Sequence, residues 1–168
     1  MMKPLLRCTL LFFAAVSVLL LSGCQVHFIA AYDPVLDNGL TQLQQSTEQF
    51  LGTLDAEAGL PEASWTDNQS FYTQSDATLR TLITRAQSEP KSAIIVQELQ
   101  LLEKSYTDLM NLHQTMGDKG LSHVMIVDSR SGLENSYKSI FTLELALQSR
   151  LNTAAAPTPA ASAPALTP

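Results

Sequence analysis

Cysteine is nearly absent from this chain: two in 168 residues, at positions 8 and 24. No Cys-x-x-Cys pair exists, so thiolate zinc sites and attached haem are excluded, and no disulfide framework is available to replace a hydrophobic core. Charge is sparse at 15% of residues, and one sign is missing over a long stretch: from Cys24 to Leu79 there are eight acids and no Lys or Arg. A phosphate-binding surface needs a basic face, so nucleic-acid binding is disfavoured. Several chemical signatures are also lacking. No Glu-x-x-His supplies a di-iron bundle, no His-Glu-x-x-His a helical zinc hydrolase, and no Gly-x-Ser-x-Gly or phosphate loop occurs. No residue therefore stands out as catalytic, the expectation is a non-enzyme, and no cofactor or metal ligand set is assigned.

What is present begins with a leader. Met1 to Arg7 carries Lys3 and Arg7 and no acid, and Cys8 to Leu21 is a 14-residue run without charge. That run is too short to span a bilayer comfortably and has the layout of a secretory signal, which disfavours an uncut transmembrane anchor. It ends in Leu21-Ser22-Gly23-Cys24, which resembles the lipobox of bacterial lipoproteins. The resemblance covers about the first 25 residues. It implies a signal peptide over 1–23, cleavage before Cys24, a thioether-linked diacylglycerol on the Cys24 sulfur and usually a further acyl chain (such as palmitate) on its amine. Two or more acyl chains anchor a protein stably. Gln25 stands where inner-membrane retention would be signalled by Asp, so the resemblance implies the outer membrane, facing the periplasm, in a Gram-negative cell.

Loss of the leader leaves 145 residues, enough for one domain with a sizeable core. Eight basic and 16 acidic residues remain, a formal charge of −8. The acids of the first half are Asp33, Asp37, Glu48, Asp55, Glu57, Glu62, Asp67 and Asp76. They form either a docking surface on helices one and two for a basic partner or a solvated, solubilising face.

Residues 24–32 read as a membrane-proximal tether, and 33–152 as a helical bundle. Asp33-Pro34 supplies an N-cap and a first helical residue. Leu36, Leu40, Leu43, Thr47, Phe50 and Leu54 then recur in steps of four and three, one stripe on one helix face. Gly59 and Leu60-Pro61 punctuate its end. The second helix is expected from Glu62 or Ser64 to Ser88, with Ser64 and Asp67 as a weak capping box and Trp65, Phe71, Tyr72, Leu79, Leu82, Ile83 and Ala86 as its apolar face. Its centre, Thr73 to Thr78, is polar. After Glu89-Pro90, the third carries Ile95, Leu99, Leu102, Tyr106, Leu109, His113 and Met116, with Ile94, Leu101 and Leu112 broadening the stripe.

His123 to Asp128 is β-branched and reads locally as a strand, but a lone strand has no partner, so a short helix capped by Ser122 is preferred. Ser131 with Glu134 resembles a capping box at which a fourth helix restarts, with Leu133, Tyr137, Ile140, Phe141, Leu147 and Leu151 as its stripe. From Thr153 to Pro168 there are seven Ala and four Pro and no charge, the composition of a disordered tail. The fold class expected is all-α, an antiparallel up-down four-helix bundle with a disordered Ala/Pro-rich C-terminal tail. A helical hairpin completed by dimerisation is the alternative.

Three histidines exist, at 27, 113 and 123. His113 with Met110 or Met116 offers soft ligands for haem iron or copper, but two on one helix are a weak pattern, and a hydrogen-bonded core histidine is the simpler reading. Arg130 and Glu144 fall near the face of Leu133 and Tyr137, where polar groups need partners. An interhelix salt bridge or rim position is preferred there over a ligand pocket.

The functional expectation is a lipid-anchored envelope lipoprotein acting as a non-catalytic protein-binding or assembly module, with an envelope protein as partner. Secretin pilotins are similar in anchor and general build, although no pilotin motif is present. Phe141 to Leu147 also resembles the ending of small uncharacterised proteobacterial lipoproteins. The alternatives are a bundle that binds a small molecule, haem or metal in its core and, behind that, a cell-wall or lipid hydrolase.

Overall fold

The computed structural model describes residues 30–155. The leader, Cys24, residues 25–29 of the tether and residues 156–168 of the Ala/Pro-rich tail lie outside the described residues. Four α-helices carry the fold: α1 Pro34–Ala56, α2 Trp65–Ser88, α3 Ala93–Met116 and α4 His123–Ala155. Single 3-10 turns, Pro61–Ala63 and Gly117–Lys119, sit in two of the connections. No strand occurs among the described residues, so the β-branched run after His123 is helical.

The helices close a ring of contacts in which α1 packs on α2 and α4, and α3 on the same two. Cross-links between their ends fix the arrangement. Asp33, which caps α1, holds Arg85 in the last turn of α2. Tyr72 near the start of α2 meets His113 near the end of α3. His123, the first residue of α4, meets Asp55 at the end of α1. These are the pairings that an up-and-down helix order brings about.

The caps form where the sequence places them. Asp33 Oδ1 accepts the backbone N–H of Val35 at 2.9 Å and of Leu36 at 3.4 Å, with Pro34 in the first turn. Ser64 Oγ accepts the Asp67 N–H and donates to the Asp67 carboxylate at 2.7 Å. This is a side-chain variant of the capping box.

The core stripes hold with three corrections, and besides them Leu151, expected on the stripe of the fourth helix, is 46% exposed. In α1, Leu51 rather than Phe50 is buried. A straight helix of 3.6 residues per turn drifts from a strict heptad, so the stripe passes to the next residue after two heptads. Phe50 turns toward α2 and stacks on Phe71 at 3.7 Å between ring centroids. In α3, Ile94 and Leu101 are 54% and 49% exposed. They precede core residues by one position and so point about 100° away from the interior, which keeps the stripe narrow.

The third correction concerns α4, which is one continuous helix with no restart at Ser131. Ile126, Leu133, Ile140 and Leu147 are all buried at seven-residue spacing, so the core pattern runs through the local capping signal and overrides it. Ser122 does cap the helix, accepting the Met125 N–H at 3.5 Å. The helix also runs past Asn152 to Ala155, because Ala is the best helix former and the change of composition alone does not stop a helix.

The polar centre of α2 is continuous helix, and Ser75 there is buried. Nearby, Gly39 of α1 lies so close to α2 that a Cβ at that position would stand 2.7 Å from Leu82 Cδ2.

Candidate functional site

Two buried polar clusters are built into the interior. The first joins α2, α3 and the turn before α2. His113 is fully buried. Its Nε2 lies 2.9 Å from the Ala63 carbonyl and its Nδ1 2.8 Å from the Tyr72 hydroxyl. A carbonyl can only accept, so Nε2 carries the proton, Nδ1 accepts, and Tyr72 donates. The ring is thus a neutral imidazole of defined tautomer. Burial pushes its basicity below that of an ordinary histidine, with the Ala63 carbonyl partly opposing. Burial likewise raises the Tyr72 phenol well above the usual range. Trp65 and Tyr72 flank the imidazole edge-on, at 5.8 and 5.7 Å between ring centroids. Gly120 closes the cluster from the far side: its φ of +62° suits glycine, and a Cβ there would fall 2.4 Å from the Ala63 oxygen.

The second cluster is a chain of hydroxyls through the middle of the bundle. Thr47 Oγ1 donates to Leu43 O at 2.7 Å, which leaves it to accept from Tyr106. Tyr106 in turn accepts from Tyr137 at 2.7 Å. The chain crosses from α1 through α3 to α4 and satisfies three hydroxyls that would each be costly to bury alone. Burial raises both phenols above the ordinary tyrosine range.

With both nitrogens of His113 engaged, neither presents a free lone pair to a metal or haem iron. Met110 and Met116 are packed against the core. No cluster of three or more His, Cys, Asp or Glu side chains suited to a metal occurs among the described residues. The core-histidine reading holds, and the sequence did not reveal its partners: Tyr72 is 41 residues away and the Ala63 carbonyl 50.

Arg130 and Glu144 are not a pair. Arg130 Nε faces Glu48 of α1 at 3.1 Å, an interhelix ion pair without an aligned hydrogen bond. Glu144 is 2% exposed, and neither carboxylate oxygen has an aligned hydrogen-bond partner. Burial raises its pKa to about 7, the carboxylates of Asp37 and Asp33 push the same way, and the Asp33 backbone N–H works against them. The preferred salt-bridge reading is therefore right for Arg130 and wrong for Glu144.

Of the eight acids in the first half, three are drawn into ion pairs, Asp33 with Arg85, Glu48 with Arg130 and Asp76 with Arg80; Asp55 is hydrogen-bonded to the His123 ring at 2.6 Å and Asp37 to the Tyr32 hydroxyl at 2.9 Å. The acidic surface is thereby concentrated in Glu57, Glu62 and Asp67, around the connection from α1 to α2. Cys24, the residue expected to carry lipid, and His27 lie outside the described residues. No helix among the described residues is long and apolar enough to cross a membrane. Comparisons with protein-family models, with curated proteins and with solved structures find no match to this chain.

Proposed function

We propose that the protein is a lipid-anchored envelope lipoprotein whose helical bundle binds another envelope protein without catalysing a reaction. The observation that carries this reading is Leu21-Ser22-Gly23-Cys24 at the end of a 14-residue uncharged run. A second feature supports it: the first helix begins at Pro34, ten residues past Cys24. A fully extended chain of that length reaches about 35 Å, so lipid on Cys24 would hold the bundle close to a membrane, in the periplasm if that membrane is the outer one. The core is packed with apolar side chains and self-satisfied polar networks, which suits a rigid module that presents surfaces. The acids Glu57, Glu62 and Asp67, at the end of the bundle away from the tether, are the surface we assign to a basic partner.

The test is in-cell crosslinking of the tagged protein with identification of what it captures, in wild type, Cys24→Ala and Glu57→Lys/Glu62→Lys. The anchored form is expected to crosslink to one envelope protein. Cys24→Ala should leave the membrane fraction, and the charge-reversed form should stay anchored but lose the crosslink. A Cys24→Ala form that remains equally membrane-bound refutes the anchor. A crosslink that survives charge reversal refutes the assigned surface.

A further inference from the structure

Glu144 is used by neither polar cluster. It lies two thirds of the way along α4, beside the point where the chain enters α1: the Asp33 amide and the Asp33 and Asp37 carboxylates all act on it, and it acts in turn on the Tyr32 phenol. The stretch leading into α1 is folded over this end of the bundle. Ala30 is buried, Tyr32 packs against the core, and the Tyr32 hydroxyl donates to Asp37 at 2.9 Å. A carboxyl group with no aligned partner is tolerable under such a cover only when neutral, because an ionised one loses its hydration without compensation.

The charged and titratable groups around it offer no relief. From α1, Asp33 and Asp37 are like charges. From α2, Arg85 reaches this end but is taken by Asp33. From α3, Glu98 is engaged by the Ser139 hydroxyl at 2.8 Å. From the entering stretch, among the described residues before Asp33, the titratable group is Tyr32. The three carboxylates do not form a cation site, since Asp33 is committed to the α1 amides and Arg85, and Asp37 to Tyr32.

We propose that Glu144 is a proton-dependent latch: neutral, it holds residues 30–33 closed over the bundle end, and ionised, it releases them so that its carboxylate reaches water. The latch is a property of the bundle and works whether or not Cys24 carries lipid. In the anchored protein the released stretch is the one leading from the membrane, so opening would lengthen the tether. With a pKa of about 7 in the closed form, release grows as pH rises toward neutrality and levels off beyond it.

The test is amide hydrogen exchange of the full chain between pH 5.5 and 8.5, with intrinsic rates divided out. Protection of the Asp33 amide should fall as pH rises toward about 7, by up to about tenfold per pH unit, the slope of a single proton released, and level off above it, where the closed state is itself ionised, while α3 amides from Leu99 to Tyr106 keep theirs. Glu144→Gln, neutral at every pH, should abolish that fall. Asp37→Asn, which removes a like charge, lowers the pKa of the closed state, so the fall should level off at lower pH and be smaller in total; flat protection in wild type overturns the latch, as does a fall that persists in Glu144→Gln. Loss of α3 protection in parallel also overturns it, since the event is then global unfolding. Should Glu144→Gln fail to fold by circular dichroism, an Asp37→Asn profile that levels off at lower pH with a smaller fall sustains the proposal, and one identical to wild type or displaced to higher pH overturns it.

Discussion

Replacing Tyr72 by Phe removes one oxygen from the protein and keeps the ring that packs against Phe50, Phe71 and Trp65. The lost hydroxyl is the donor to His113 Nδ1, and the imidazole is fully buried, so no bulk water replaces it. The variant therefore bears the cost of an orphaned buried acceptor, about 1–3 kcal/mol, rather than the smaller net worth of an average hydrogen bond. For a bundle of this size each kcal/mol displaces the melting midpoint by about 3–6 °C, between the values for smaller and larger domains. Urea unfolding followed by helical circular dichroism should show a lower midpoint with unchanged slope. A double-mutant cycle with His113→Leu isolates the pair: the coupling between positions 72 and 113 should be about 1 kcal/mol or more. A Tyr72→Phe variant within about 0.5 kcal/mol of wild type would refute the reasoning, because it would mean that Nδ1 has another donor or that the tautomer is reversed.

The glycines should separate by environment in the same unfolding assay. Gly52→Ala, with open space around its Cβ, should stabilise by about 0.5–1 kcal/mol, whereas Gly120→Ala should destabilise by about 2 kcal/mol or more, since it combines a positive φ with displacement of the carbonyl that His113 holds. Titration should show two opposed effects. His113, with its basicity lowered, contributes stability above its unfolded value near 6.5 that is lost as pH falls below it; Glu144, with its pKa raised, contributes stability below its unfolded value near 4.5 that is lost as pH rises through about 7. Between those unfolded values the two effects oppose each other, so Glu144→Gln should gain stability with rising pH more steeply than wild type, as urea midpoints at several pH values will show. Arg130→Gln should cost no more than about 1 kcal/mol, because its pair with Glu48 is partly exposed.

The helices were legible in the sequence because each has a local cause: Asp33-Pro34 and Ser64 start them, and repeated four-three steps mark their inner faces. Where local signals misled, a longer-range pattern prevailed. Ser131 and Glu134 spell a helix start, yet the seven-residue repeat from Ile126 to Leu147 carries α4 through them. Partners in space were not legible. Nothing near His113 announces Tyr72 or the Ala63 carbonyl, and nothing near Glu144 announces Asp33 and Asp37, because helix order and register place them. What the sequence does show is that a polar residue occupies an inner-face position. Both His113 and Glu144 carry that signal; one met a complete set of partners and the other met like charges and an amide not aligned with it.

The length of α4 has a consequence for the two ends of the chain. It has 33 residues against 23 and 24 in the others, which makes it about 50 Å long beside neighbours of about 35 Å. It starts level with the end of α1, so the excess projects beyond the start of α1, on the side from which the tether comes. The end of α4 at Ala155 therefore lies at the same pole of the bundle as Asp33, where α1 begins. In an anchored protein that pole faces the lipid, and the opposite pole, with Glu57 and Glu62, is the one turned to the compartment. A tag added at the C-terminus would then report on the membrane side of the bundle, and a tag meant to be clear of it belongs in the connection between α1 and α2.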